Sequence, residues 1–67
     1  MTSNWYLRVK TLNEEHVVDL GGNSTVARAT LEQAKGRMEK TGAVTIAGSL
    51  VVNASDIVSI TLHEEAN

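Results

Sequence analysis

Residues 50–60 read LVVNASDIVSI, and seven of these eleven are apolar without a clean alternation between oil and water. Such a run suits two short strands with a bend between them, because the side chains of Asn53, Ser55 and Asp56 imitate backbone turns. Upstream, Gly48-Ser49 fits a type II′ hairpin turn with glycine in its first central position. That turn opposes Ile46 to Val51, Ala47 to Leu50 and Thr45 to Val52. Val44, Ile46 and Val51 then share one face with Val58, Ile60 and Leu62, while Ala47, Leu50 and Val52 fall on the other.

Further upstream, residues 24–41 read as a helix. Gly21-Gly22 interrupts what precedes it, Asn23 or Ser24 offers a cap, and Ala27, Leu31, Ala34 and Met38 recur as one narrow apolar stripe. Arg28 with Glu32 and Lys35 with Glu39 are spaced for i,i+4 pairs on the opposite surface, and Gly42 is placed to terminate the helix. Gly36 interrupts the helix at a cost of about 1 kcal/mol relative to alanine. A tolerated surface glycine is the simpler explanation, and close approach of another backbone is the functional one.

Residues 5–20, WYLRVKTLNEEHVVDL, read as a hairpin turning at Asn13-Glu14. In that register Trp5, Leu7, Val9, Val18 and Leu20 share an inner face. Tyr6, Arg8, Lys10, Val17 and Asp19 share the outer face, with Arg8 opposite Asp19. The chain is therefore expected to be one α+β domain over residues 1–67, of order ββαβββ. Its sheet would be antiparallel, with about five strands over 43–63 and 5–20 and one helix packed on one face.

Coverage is the difficulty in this arrangement. Five strands at about 4.8 Å spacing make a sheet near 20 Å wide, about twice the diameter of a helix. One helix cannot cover it. The outer face, with Tyr6, Leu12, Val17, Leu50 and Val52 among Arg8 and Lys10, is also apolar enough to suggest an interface. The expectation is that a second copy of the chain closes it. The residues assigned to that face are Tyr6, Arg8, Lys10, Val17, Leu50 and Val52, and a partner would otherwise use the helix surface around Arg28, Glu32, Lys35, Gly36 and Glu39.

Composition narrows the function classes. A chain of 67 residues has a thin core, and with no cysteine it has no disulfide to reinforce it, which favours oligomerisation. Six basic residues against eight acidic ones, for a net charge of -2, give no electrostatic footprint for nucleic acid. The first ten residues, MTSNWYLRVK, have neither a basic leader nor a long apolar run. No membrane association is expected, and the cytoplasm is the expected compartment.

Chemistry-bearing constellations are sparse. His16 and His63 lack the short-range spacing of metal ligands, and the serines are accounted for as cap, turn and strand residues. Neither a catalytic role, a metal nor a cofactor is expected. The loop Gly21, Gly22, Asn23, Ser24, with Arg28 nearby, is the one candidate for an anion at a helix N-terminus. It lacks the full phosphate-loop pattern.

With its early Trp5-Tyr6 strand, central helix and closing VVNASDIVSI, the chain resembles the small accessory proteins common in bacteriophage and actinobacterial genomes. The resemblance implies action by binding a host or partner protein. The function expected is thus a non-enzymatic, homodimeric or larger protein-binding module. The alternatives are sequestration of a small anion or nucleotide between subunits, and a structural role in an assembly.

Overall fold

A computed structural model describes residues 3–66. The order ββαβββ holds: β1 Ser3–Thr11, β2 Glu15–Gly21, α1 Ser24–Arg37, β3 Ala43–Ile46, β4 Leu50–Asn53 and β5 Ile57–Ala66. All pairing is antiparallel, but the five strands form two sheets: a three-stranded sheet of order β2-β1-β5 and the separate hairpin β3-β4.

This division resolves the coverage problem within one protomer. Three strands present a face only about 10 Å wide, and two elements pack on it, the helix and the second hairpin. Leu7 and Val9 of β1, Ile60 of β5, Ala34 of α1, Val44 and Ile46 of β3 and Ala54 form one buried cluster. Leu7, Val9 and Ile46 have no exposed surface, and each contributes about 1.5–3 kcal/mol through burial.

The second hairpin turns one residue earlier than its glycine suggests. Ala47 and Gly48 both take positive φ, 55° and 77°, and Ser49 N–H donates to the Ile46 carbonyl at 3.3 Å, so the turn is centred on Ala47-Gly48. Ser49 also stays outside the ladder, so the loop has three residues and Ile46 pairs with Leu50, Thr45 with Val51 and Val44 with Val52. A shift of one residue exchanges the two faces of a strand. Leu50 and Val52 therefore pack against the core, and Val51, expected inside, is 65% exposed.

The first hairpin shifts by two residues, which leaves its faces unchanged. Its turn is longer than Asn13-Glu14, because Thr11 N–H donates to the Glu14 carbonyl at 2.8 Å while the Thr11 hydroxyl accepts from Glu14 N–H at 3.1 Å. Arg8 now faces Val17, and Tyr6 faces Asp19. Trp5, expected in the core, is half-buried outside the central cluster. A bulge in β5, where Lys10 pairs with Ser59 but Thr11 with Ile57, turns Val58 outward to 52% exposure and brings Ile57 onto the core.

The helix is capped as expected but ends sooner. The Asn23 side chain accepts from the N–H groups of Thr25 and Val26 at 2.9 and 3.2 Å. Ala27 and Ala34 are buried, with Leu31 and Met38 partly so. After Arg37 the backbone tightens into i→i+3 bonds, Glu39 to Gly36 and Lys40 to Arg37, so Glu39 and Gly42 lie beyond the helix. Gly36 makes no close approach: a Cβ there would meet nothing within 4 Å.

Candidate functional site

The inner face of the three-stranded sheet is sealed, and its outer face is not. Cross-strand pairing fixes what that face displays. One row runs Asp19, Tyr6, His63; the next Val17, Arg8, Thr61; the next Glu15, Lys10, Ser59. Tyr6, Arg8 and Val17 line an open depression of about 280 Å³ together with His63, Glu64 and Glu65. Val17 is 57% exposed at its wall.

The polar groups of this face are tied to one another. Arg8 Nε lies 2.8 Å from Glu15 Oε1, with both side chains about half exposed, so the pair contributes at most about 1 kcal/mol. The Thr61 hydroxyl and His63 Nε2 are 2.9 Å apart. Asp19 accepts from the Gly21 backbone N–H at 2.8 Å and from the Asn4 amide at 2.9 Å. These two donors, the backbone one foremost, hold its carboxyl below the usual carboxylate value.

The same bonds bear on the glycine loop. Gly21 N–H is directed to Asp19, and the first-turn N–H groups of Thr25 and Val26 to Asn23. Ser24 and Arg28 are exposed on the helix. Three N–H groups of the loop and first turn, those of Gly21, Thr25 and Val26, are thus directed to the protein's own oxygens.

Of the residues assigned to the outer sheet face, Tyr6, Arg8, Lys10 and Val17 lie together on it, and Leu50 and Val52 do not. The latter two belong to the core side of the other sheet. On the helix, Arg28, Glu32, Lys35 and Gly36 are exposed, but among the described residues the close contacts between basic and acidic side chains are Arg8–Glu15 and His16–Glu14, and neither i,i+4 pair closes. His63, Glu64 and Glu65 line the depression and Thr61 lies beside Arg8, places on this face that the sequence did not assign to them. Their alternation in β5 was visible, but only the identity of the neighbouring strand places them beside Tyr6 and Arg8.

Among the described residues no three histidine, aspartate or glutamate side chains converge, and no helix is long and apolar enough to cross a membrane. No protein-family model, curated protein or solved structure matches this chain.

Proposed function

We propose that this chain is a small non-enzymatic protein-binding module that acts in the cytoplasm as a homo-oligomer, in the manner of phage accessory proteins that engage a host protein. The observation that carries the reading is the uncovered outer face of the three-stranded sheet. There Tyr6 and Val17 supply apolar contact around Arg8 and Lys10, beside a depression rimmed by His63, Glu64 and Glu65. An aromatic and an arginine on a rigid central strand, backed by a sealed core, match the anchors that dominate protein interfaces.

The test compares three immobilised proteins in cell extract: wild type, a Tyr6→Ala/Arg8→Glu variant, and an Arg28→Glu/Lys35→Glu variant of the helix surface. Partners held by wild type should be lost by the first variant and kept by the second. Loss from the helix variant alone would move the contact to α1.

A further inference from the structure

We propose that β5 is the self-association edge: its free side pairs with β5 of a second copy, antiparallel about a two-fold axis at Thr61. This rests on the homo-oligomer reading above and assigns it a surface and a register.

The strand edges of the molecule differ in how well they are protected. β3 and β4 have four residues each, and β2 has seven, with a bulge opposite Trp5-Tyr6 and the charges of Glu15 and Asp19. β5 has ten residues, pairs among the described residues only with β1, and, although it too carries a bulge at Val58 and two acids at Glu64 and Glu65, is regular from Ser59 onward. It carries no lysine, and the chain has no proline, the usual means of blunting an edge.

Backbone alternation shows which groups are unpaired. Thr11 N–H points to Glu14 on the β2 side, and Leu12 N–H to Asp56 on the β5 side. Lys10, Arg8 and Tyr6 therefore direct their backbone groups to β5, where they pair with Ser59, Thr61 and His63. The N–H and C=O groups of Ile60, Leu62 and Glu64 are left facing the open edge.

Charge and length select the register. Parallel self-pairing would stack Glu64 and Glu65 on their counterparts, and docking on β2 would bring them towards Glu15 and Asp19. An antiparallel axis at Leu62 would set Glu64 against Ile60, whereas an axis at Ile60 would shorten the overlap. With the axis at Thr61, Ile60 and Leu62 exchange backbone bonds across the edge, Ser59 faces His63, and neither glutamate meets a like charge. Ile60 and Leu62 then continue the apolar inner row between copies. Ser59 of the second copy stands beside the depression at His63, adding a wall to it.

The absence of cysteine makes the test clean. Thr61 would face its own counterpart at a non-hydrogen-bonded position, with Cα atoms about 4.5 Å apart, within disulfide range. Under mild oxidation Thr61→Cys should form covalent dimers at least about tenfold faster than His63→Cys, because only the former is held at high effective concentration. A mixture of Ser59→Cys and His63→Cys proteins should cross-link to each other rather than to themselves. Equal cross-linking of all variants would overturn the register. If sedimentation shows a wild-type oligomer but Thr61→Cys stays unlinked, self-association uses another surface and the inference fails alone. A wild type that stays monomeric at all concentrations defeats both the inference and the homo-oligomer reading.

Discussion

The two faces of the three-stranded sheet are built from alternate residues of the same strands, yet their fates are opposite. Leu7 and Val9 have no exposed surface, while Arg8 and Lys10 between them are exposed. The inner face is closed by α1 and the β3-β4 hairpin together, and among the described residues no element covers the outer face. A small chain can thus seal one sheet face by detaching two strands from the sheet and folding them over it. What remains outside is a surface of fixed geometry available for contacts.

The largest effect should come from opening the sealed side. Ile46→Ala removes a fully buried side chain from the covering hairpin and should cost about 2–5 kcal/mol. A single core of this size rarely supplies more than about 3–5 kcal/mol, so thermal unfolding should show a largely unfolded variant. A stable Ile46→Ala protein would mean that the hairpin is not a cover.

Val52→Lys and Val51→Lys sharpen the comparison by testing neighbouring residues on opposite faces. The first forces an ammonium towards the core and should lose about 1–3 kcal/mol in urea unfolding, moderated by the reach of the lysine stem. The second should stay within about 0.5 kcal/mol of wild type. The reverse ranking would restore the Gly48-Ser49 turn.

How far the sequence carried this outcome depends on how each turn is made. The helix cap at Asn23, the element order and the inner set Leu7, Val9, Val18 and Leu20 were all legible, since a two-residue shift in the first hairpin preserves parity. Leu50, Val51 and Val52 were not, because the turn recruits Ala47 into the left-handed region, which alanine seldom adopts. One residue of displacement then reversed β4. Val58 was misplaced by a bulge, a feature of strand pairing without a local signature. The site divided the same way: Tyr6, Arg8, Lys10 and Val17 follow from alternation, whereas Thr61, His63, Glu64 and Glu65 join them only through the long-range pairing of β1 with β5.

Smaller effects separate the remaining contacts. Asn23→Ala should cost about 1 kcal/mol by freeing the N–H groups of Thr25 and Val26, measurable as a lower urea midpoint with unchanged slope. On the outer face, a double-mutant cycle between Arg8 and Glu15 should return about 0.2–1 kcal/mol and shrink with added salt, as expected of a solvated pair. Asp19 gives the finest probe. Its lowered carboxyl means that its contribution is present above its ordinary pKa of 3.8 and is lost as pH falls through the lower folded value. The Gly21 amide resonance should report that low midpoint, and Asp19→Asn should remove the titration while retaining an acceptor.

Sedimentation velocity of the wild type across a wide concentration range tests the central claim most directly, that a protomer with a sealed inner face makes its contacts through what it leaves open. The account predicts a species of at least twice the protomer mass that dissociates on dilution, and a concentration-independent monomer would contradict it.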